Sequence, residues 1–468
     1  MFKSKFGNIH LFSFNEKYFV FQGDSLQLFE LNEENYTKIN KARECSNAIN
    51  EIDDGLMSEL LETEIVVNEE EYEEKILNIK NNEDNFALSH ITLSISNDCN
   101  LNCKYCFGDG GTYHNDRMLM PFETARQGID FLLSHCKNTE VLNVTFFGGE
   151  PLLNFDVMKK IVIYCREKEK ENGKKFKFSV STNGTIINDE IINFIKKYDI
   201  SVTISIDGPK STHDRYRCYM SGKGSFDLIE VTIKKLLASS VKKVNARATI
   251  CSINPNVKQI ENGLREFGFN SIHMTLVDVP YESQLFMDSD SITKTIAGYY
   301  KLAEEYLYDI KSKRVNRNKT FDELLYVLFN KKLKLRSCAA AVSSVAISAN
   351  GEIYPCHRFM GDKKYLLGNL REGVFEESIK PFKNLNVLNL EDCNVCWARF
   401  LCAGACIHSR VKHSKLNKAY SHNCGLYKKI YEIALYIYYD LKVYDENILL
   451  SMFSEEQKQP TTFQNYTI

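Results

Sequence analysis

The sequence predicts an α/β protein whose main domain is a partial (β/α)6 barrel, an open sheet of six parallel strands with helices between them. The first observation is that short β-rich segments alternate with helical segments from residue 90 to about 278. The second is that six strands are too few to close an eight-stranded barrel. The third is that glycine and polar motifs follow the first four strands, at the ends where such folds carry their chemistry.

Each strand candidate is rich in β-branched or aromatic residues and is followed by turn-forming residues. The strand candidates are residues 91–96, 142–147, 178–182, 201–206, 245–250 and 271–277. The helical segments between them are residues 122–136, 156–172, 189–198, 226–238 and 256–267. Residues 289–335 are again helical in pattern and carry a basic patch at 311–319, which predicts a bridging segment with a solvated face.

The composition is that of an ordinary soluble globular protein. The 468 residues are 44% hydrophobic and 26% charged, and the length suggests two or three domains. A net charge of −2 argues against broad binding of nucleic acid, and no apolar run approaches the ~20 residues of a membrane span. The sequence begins with no secretory signal, and its 15 cysteines therefore indicate reduced thiols in the cytoplasm and metal or redox chemistry.

Residues 1–85 are predicted to form a separate module followed by an acidic linker. Residues 9–14 and 18–21 flank a polar turn and predict a hairpin, and residues 26–31 are a third strand candidate. Asn32 then caps a short helical pattern. The residues alone leave two roles open, a structural cap on a larger enzyme or a docking module whose open sheet edge accepts an extended peptide.

Three cysteines, Cys99, Cys103 and Cys106, lie within eight residues on the loop after the first barrel strand. A [4Fe–4S] cluster normally takes four thiolates, so a set of three leaves one iron open to a substrate or cofactor. The alternative is a zinc site, for which nearby His114 is a possible fourth ligand.

The next three strands also end in polar motifs. Gly148, Gly149 and Glu150 follow the second strand, where the glycines permit close backbone approach and the carboxylate can accept hydrogen bonds from an ammonium. Each remaining side chain can serve a polar ligand, or equally a local turn or structural ion pair. These candidates are Ser181 and Asn183 after the third strand, Ser205 and Asp207 after the fourth, then Arg217, and Arg247 in the fifth.

A second group of seven cysteines lies between residues 338 and 424. Their number exceeds one zinc site and fits two further clusters or one cluster plus zinc, with a pair of structural zincs as the plainer alternative. The seven are Cys338, Cys356, Cys393, Cys396, Cys402, Cys406 and Cys424. The remaining five, Cys45, Cys136, Cys165, Cys218 and Cys251, are most simply buried small hydrophobic residues.

The ordered motifs of residues 90–278 resemble the radical S-adenosylmethionine (SAM) enzymes, whose domain is a TIM-like partial barrel. The resemblance implies that Cys99, Cys103 and Cys106 hold a [4Fe–4S] cluster whose open iron chelates SAM. It further implies that electron transfer from the cluster cleaves SAM to a 5′-deoxyadenosyl radical, which takes hydrogen from a substrate. The implied SAM contacts are Tyr105 by the adenine, Gly148, Gly149 and Glu150 at the ammonium, Ser205 at the ribose, and also Ser181, Asn183, Asp207, Arg217 and Arg247.

The later cysteines resemble the SPASM domain of radical SAM peptide-modifying enzymes. That resemblance implies one auxiliary [4Fe–4S] cluster on Cys393, Cys396, Cys402 and Cys424. It implies another on Cys338, Cys356 and Cys406, for which the sequence shows no obvious fourth thiolate. Three clusters are therefore expected in all. Residues 353–362 resemble maturases that install thioether crosslinks in cysteine-rich peptides, and residues 1–85 resemble the winged-helix-like recognition element of such enzymes.

The resemblance implies an enzyme that joins a cysteine sulfur to a carbon within a ribosomally made, cysteine-rich precursor peptide, with flavodoxin or ferredoxin as electron donor. Sulfatase-maturase-like oxidation to formylglycine is the alternative, although His357 stands where those enzymes carry an aspartate. A non-catalytic zinc-binding scaffold is a third possibility. The expected divisions are a recognition module (1–85), radical SAM barrel (86–285), helical bridge (286–335), SPASM domain (336–442) and C-terminal tail (443–468).

Overall fold

The computed structural model describes residues 4–44, 48–80, 86–314, 318–413 and 417–453. Its N-terminal module contains the predicted hairpin and third strand as an antiparallel sheet in the order β2-β3-β4. A two-stranded sheet of β1 and β5, which sequence reasoning did not predict, lies beside it. The elements of the module are β1 Ser4–Phe6, β2 Ile9–Phe14, β3 Lys17–Gln22, β4 Gln27–Leu31, α1 Glu33–Glu44, α2 Asp54–Glu62, β5 Val66–Asn68 and α3 Glu69–Lys80.

The six barrel strands predicted from the sequence are confirmed, and all six pair in parallel in chain order. They alternate with helices, one of which, α7, is additional to the predicted set. In chain order the elements are β6 His90–Ser96, α4 Phe122–His135, β7 Val141–Gly148, α5 Phe155–Asn172, β8 Lys175–Thr182, α6 Asp189–Tyr198, β9 Ser201–Ser205, α7 Lys210–Tyr216, α8 Phe226–Ala238, β10 Val244–Ile250, α9 Val257–Arg265 and β11 Ser271–Leu276.

Strands β7 to β11 have one apolar and one polar face, as expected when helices cover only the outer side of a barrel. In β7, for example, Leu142, Val144 and Phe146 are fully buried in the main core, whereas the intervening Asn143 and Thr145 are half-buried. Thr145 lies on the inner face and its hydroxyl is 2.8 Å from that of Ser179 on β8. The inner face of the open barrel is therefore lined by polar side chains.

The C-terminal region extends the barrel sheet rather than forming a separate one. Strand β12 pairs in parallel with β6, and three short antiparallel strands follow, so one sheet of ten strands spans the predicted boundary at residue 336. In chain order the elements after β11 are α10 Ser289–Lys311, α11 Lys319–Phe329, β12 Ser344–Ile347, β13 Glu352–Tyr354, β14 Gly368–Asn369, β15 Gly373–Val374, α12 Glu376–Lys383, α13 Glu391–Asn394, α14 Arg399–Cys402, α15 Ile407–His413 and α16 Asn417–Phe453.

The helical pattern predicted for residues 289–335 is present as helices α10 and α11, which pack against α16. Helix α16 continues through the predicted start of the tail at residue 443, with a non-helical residue at Asp445. The rest of the predicted tail, residues 454–468, lies outside the described residues. Among the described helices, none combines the length and apolar character needed to cross a membrane.

The N-terminal module packs against the C-terminal region through one face of its three-stranded sheet. His10 stacks on Trp397 with ring centroids 4.0 Å apart, and its Nε2 lies 2.9 Å from a carboxylate oxygen of Glu432 on α16. Phe14 stacks on Tyr436 of α16 at 4.1 Å. This face of the sheet therefore belongs to the main hydrophobic core, while the opposite face covers the module's own helices.

A buried ion pair fixes the same contact. The Asp24 side chain is fully buried, and Arg399 donates to its Oδ1 from Nη2 at 2.6 Å and from Nε at 2.9 Å. The Tyr72 hydroxyl donates to the other carboxylate oxygen at 2.6 Å. Gly23 leaves room for this approach, because a Cβ there would lie 2.3 Å from the Trp397 carbonyl oxygen.

We expect Arg399→Ala to lower the free energy of unfolding by about 3–5 kcal/mol, because it leaves the Asp24 carboxylate buried without a counter-charge. Urea titration followed by circular dichroism measures the change. Lys17→Ala is the matched control, since Lys17 also joins the module to α16 but its ion pair with Glu30 is exposed to solvent. Equal losses for the two variants would contradict a special role for the buried pair.

Candidate active site

Cys99, Cys103 and Cys106 lie together on the loop after β6, at the C-terminal edge of the barrel. Burial raises the pKa of the Cys99 thiol to about 12, with smaller raising contributions from Glu150, Cys103 and Cys106. Burial also raises the pKa of Cys103 to about 11. Buried thiols of this kind are stabilised as thiolates by a positively charged group between them, as iron supplies in a cluster.

The arrangement of the three cysteines is compatible with a four-iron cluster, and zinc stays an alternative. Within the ranges that the structure describes, no three Cys, His, Asp or Glu side chains converge closely enough to hold one metal ion. His114 is not placed as a fourth ligand, since it is exposed and lies 3.6 Å from Asp109. A four-iron cluster spreads its thiolates over separate corners, so it needs no such convergence.

The two glycines after β7 let that strand end lie against the cysteine loop. A Cβ on Gly148 would lie 2.2 Å from the Ser96 carbonyl oxygen, and one on Gly149 would lie 2.3 Å from that of Asp98. Gly148 also has a φ of 138°, which favours glycine. In the structure the close approach that the sequence predicted is thus made by the backbone of the neighbouring strand and loop, and a contact with SAM stays a prediction.

Glu150 is a buried carboxylate with no cation within ion-pair distance among the described residues. It accepts hydrogen bonds from Thr182 Oγ1 and the Asn183 backbone N–H, both at 2.7 Å, and from the Leu152 N–H at 3.1 Å. Burial nevertheless raises its pKa to about 7. A buried carboxylate that can accept a further hydrogen bond and has no counter-charge is suited to bind an ammonium, such as that of SAM.

Asn183 connects this carboxylate to the cysteine loop. Its side-chain nitrogen donates to Asn100 Oδ1 at 2.9 Å and lies 3.7 Å from the Cys99 sulfur. Ser181 and Ser205 are half-buried at inner-face positions of β8 and β9. The predicted polar residues of three adjacent strand ends therefore come together around one region of the inner face.

Asp207 and Arg217 are paired with each other. Arg217 donates to the fully buried Asp207 carboxylate from Nε at 2.9 Å and from Nη2 at 3.3 Å, and the Thr249 N–H donates at 2.9 Å. The Tyr105 hydroxyl also hydrogen-bonds Asp207, and the guanidinium lies 5.2 Å from the Tyr105 ring centre. The structural ion pair that the sequence left open for Arg217 is therefore present, and the pair fixes Tyr105 beside the cysteine loop.

The later cysteines fall into the two groups suggested by the resemblance. Burial raises the pKa of Cys356 to about 12, with Cys338 and Cys406 as the neighbouring thiols. Burial raises the pKa of Cys393 to about 11; Arg410, which donates to its sulfur at 2.8 Å, lowers it, and the neighbouring thiols are Cys396, Cys402 and Cys424. The first group contains three cysteines and the second contains four, and their ligation stays a prediction.

The leftover cysteines are only partly as predicted. Cys136, Cys165 and Cys251 are buried, as expected for small hydrophobic residues. Cys218 is half-buried and lies near Cys103, its sulfur 4.0 Å from the Asn102 carbonyl oxygen. Cys218 belongs to a short segment whose next residue, Tyr219, pairs with Leu101 of the cysteine loop. Cys45 lies outside the described residues.

Sequence reasoning missed an aromatic layer between the first cysteine loop and Cys356. Tyr113 is buried, donates to the Gly148 carbonyl oxygen at 3.0 Å, and has Cys99, Cys106 and Cys356 as neighbours. The His357 ring lies 4.4 Å from Phe147 and 5.7 Å from Phe107. The available signal was that Phe107 directly follows Cys106 and Phe147 directly precedes the glycine pair. The three-thiol group therefore adjoins the candidate SAM site.

Comparison with known families gives a match over the barrel. The family model described as the Radical SAM superfamily matches residues 93–276. An uncharacterized protein of Methanocaldococcus jannaschii is 34% identical over 195 residues, which are 41% of this chain and 63% of that protein. The cysteine-type anaerobic sulfatase-maturating enzyme of Clostridium novyi is 26% identical over 68% of this chain and 88% of its own length. The radical SAM cyclopropyl synthase TigE of Paramaledivibacter caminithermalis is 26% identical over 72% of each chain.

Two solved structures have the same fold over most of their length. Native anSMEcpe with bound AdoMet superposes with a TM-score of 0.64 at 22% identity, covering 76% of this chain and 99% of that one. Streptococcus suis SuiB bound to S-adenosylmethionine superposes with a TM-score of 0.51 at 17% identity, covering 86% and 96%. The likeness to both extends beyond the barrel into the C-terminal region.

Proposed function

We propose that this chain, whose residues 93–276 form a radical SAM domain, modifies a ribosomally made peptide by joining a cysteine sulfur to a carbon. The observation that carries the proposal is the three-thiol group of Cys338, Cys356 and Cys406 beside the candidate SAM site. A reactive centre and a sulfur-binding centre within one cavity are the two requirements of such a crosslink. The relative named as a sulfatase-maturating enzyme, and the solved structure of anSMEcpe with a bound peptide, support the same substrate class.

The chain's own residues would bind and orient the cofactors. Cys99, Cys103 and Cys106 would hold the SAM-binding cluster, and the Glu150 carboxylate would meet the SAM ammonium. Tyr105, fixed by Asp207, would border the adenine. When bound, SAM and the cluster supply one-electron chemistry that removes hydrogen from an unactivated carbon. Phe107, Phe147 and Tyr113 line the site and would exclude water from it.

The second group would orient the peptide sulfur. Cys338, Cys356 and Cys406 have no fourth cysteine beside them within the described part of the chain. We propose that a cysteine of the peptide takes the fourth position and that the group of Cys393, Cys396, Cys402 and Cys424 holds a complete cluster. The net change in the peptide is one new C–S bond and the loss of two hydrogen atoms. An electron carrier such as flavodoxin or ferredoxin is proposed as the donor.

The N-terminal module is proposed to hold the leader part of the precursor. Strand β4 is an edge strand of the module's sheet, so its outer backbone groups are open to an added strand. A groove of about 210 Å³ borders this edge and is lined by Leu28, Phe29, Tyr438 and Tyr439. A peptide extended along β4 would therefore find both backbone hydrogen bonds and an aromatic wall.

Oxidation of a protein cysteine or serine is the second candidate, because the chain matches sulfatase-maturating enzymes over most of their length. His357 favours the crosslink over this reaction. Burial, Arg247 and Arg358 lower its pKa to about 3, so at neutral pH the ring next to Cys356 is an uncharged imidazole. At the position where sulfatase maturases carry an aspartate, this chain therefore has an uncharged imidazole.

The test is co-expression with a short cysteine-rich precursor encoded beside the gene, followed by mass spectrometry. A thioether shows as the loss of two hydrogen atoms, with protection of one cysteine from alkylation. Cys356→Ala is expected to abolish the product, and Cys165→Ala, a buried cysteine on α5, is the matched control. An aldehyde that reacts with a hydrazide would favour the maturase-like reaction instead, and an unchanged peptide would contradict the proposal.

A further inference from the structure

Arg247 occupies an unusual position on the inner face of the barrel. Its strand neighbours Ala246 and Ala248 are fully buried against the outer helices, whereas Arg247 itself is accessible from the cavity. In register it lies between Ser205 on β9 and His273 on β11. Among the residues that the structure describes, no carboxylate lies within ion-pair distance of its guanidinium. Arg247 is therefore a cation that faces the cavity without a counter-charge.

The neighbouring basic residues, in contrast, are neutralised or uncharged. Arg358 donates to Asp278 at 3.0 Å and to the Cys406 sulfur at 3.4 Å, and Arg217 is paired with Asp207. Burial, Lys319 and Arg247 lower the pKa of His273 to about 3, which leaves its ring uncharged at neutral pH. Burial, Arg358 and Arg217 likewise lower the pKa of Arg247. Arg247 therefore differs from Arg217 and Arg358 in having no carboxylate partner among the described residues.

An accessible guanidinium without a carboxylate partner can complete a site for an anion. Guanidinium recognises carboxylates with two parallel hydrogen bonds, and these charge-assisted bonds are stronger than neutral ones. Cys406 raises the pKa of Arg247, but no carboxylate of the described chain lies within ion-pair distance, so a carboxylate at this site would belong to a bound molecule. The cavity between the two thiol groups is also where the proposed function brings the reacting part of the peptide.

The position of Arg247 separates this anion from SAM. Glu150, the candidate ammonium site, follows β7, and Arg247 is on β10, three strand spacings or about 14 Å along the sheet. The ammonium and carboxylate of SAM are attached to the same carbon. A SAM molecule held by Glu150 therefore presents its carboxylate near β7 and β8, whereas Arg247 lies on the side of Cys406 and Arg358.

We infer that Arg247 binds a carboxylate of the substrate peptide, an aspartate or glutamate side chain close to the residue that is modified. The inference rests on the proposed function and reassigns Arg247 from cofactor binding to substrate selection. Arg358, fixed by Asp278 and stacked 5.3 Å from the Phe107 ring, shapes the wall of the same site. The enzyme then selects acidic residues near the reacting carbon.

The test uses a displayed library in which each peptide carries one cysteine flanked by randomised residues. The reconstituted full-length chain, with SAM and without oxygen, captures peptides that are then sequenced. We expect aspartate or glutamate at a fixed distance from the cysteine to be enriched about tenfold over asparagine or glutamine. Arg247→Gln is expected to lose this preference and Arg247→Lys to retain part of it. Arg126→Gln, at a half-buried arginine paired with Glu123 on the outer helix α4, is the matched control and should keep the preference.

Two results would overturn the inference. One is an undiminished acidic preference in Arg247→Gln, or no acidic preference in the unchanged chain. The other is a SAM dissociation constant at least tenfold weaker in Arg247→Gln by equilibrium dialysis, which would assign the carboxylate to SAM. If the unchanged chain enriches no peptide at all while it still binds SAM, the proposed function itself fails.

Discussion

Replacing Cys99, Cys103 or Cys106 by alanine is expected to abolish the reductive cleavage of SAM and to remove about four irons per chain. The three thiols are each other's neighbours at the barrel edge, and Cys218, a further thiol near Cys103, lies on a separate segment outside the proposed ligand set. With a ligand lost, the cluster has two thiolates and no defined open corner. Chromatographic assay of 5′-deoxyadenosine and iron analysis of the anaerobically reconstituted protein measure the two effects.

Cys218→Ala is the sharpest control for this prediction. Cys218 lies near Cys103 but on a separate segment, and it is outside the proposed ligand set. Its replacement should leave both iron content and SAM cleavage near those of the unchanged chain. Full activity in Cys99→Ala, or equal loss in Cys218→Ala, would show that the cluster site has been assigned to the wrong thiols.

Glu150→Gln is expected to weaken SAM binding by about ten- to a hundredfold, the loss of a charge-assisted hydrogen bond to an ammonium. The amide keeps the shape of the side chain and its contacts with Thr182 and Asn183 in part, so the main change is the charge. Equilibrium dialysis of the reconstituted protein measures the dissociation constant. Glu432→Gln, a buried acid on α16 far from the site, is the control and should bind SAM normally.

The pH dependence of the same binding follows from the raised pKa of Glu150, about 7. Below that pH the carboxyl is protonated and cannot attract an ammonium, so SAM binding to the unchanged chain should weaken about tenfold per pH unit. Above pH 7 it should level off. Glu150→Gln should show no such step. A pH-independent dissociation constant in the unchanged chain would contradict the assignment.

The stability of the ligand-free protein should fall as pH rises, whereas its affinity for SAM should increase. Between pH 4.5 and about 7 the folded state keeps the Glu150 proton while the unfolded chain releases it. Each unit of rise in pH within that window therefore lowers the free energy of unfolding of the ligand-free protein. Bound SAM removes this effect by stabilising the carboxylate. Urea midpoints measured with and without SAM distinguish the two states.

The barrel could be predicted from the sequence because its signals are local. Each strand has an apolar face of period two, and each is followed by a helix with its own start and stop signals, as where Asn188 caps α6. Strands β1 and β5 were missed because three residues each carry too little periodicity. The continuation of the barrel sheet into β12 was missed because a pairing between residues 91 and 345 leaves no mark on either segment alone.

The site could be predicted only as a set of candidates. Cysteine spacing indicates several metal centres, but a mixed group such as Cys338, Cys356 and Cys406 is assembled by tertiary structure. Charges were harder still: Arg217 is paired with Asp207, whereas Arg247 lies exposed on the inner face of β10. Which of the two arginines meets a carboxylate depends on tertiary structure, which the sequence did not specify.

The ion pair between Asp24 and Arg399 has a consequence for the synthesis of the protein. Its partners are 375 positions apart, so the ribosome finishes the N-terminal module long before the arginine appears. Until then the Asp24 carboxylate at the docking face of the module lacks the Arg399 counter-charge. Asn8, which donates to the Cys396 carbonyl oxygen at 3.1 Å, then joins the last cysteine loop to the first-made part of the chain. The contact between the module and the last cysteine loop is therefore completed only after that loop has been synthesised.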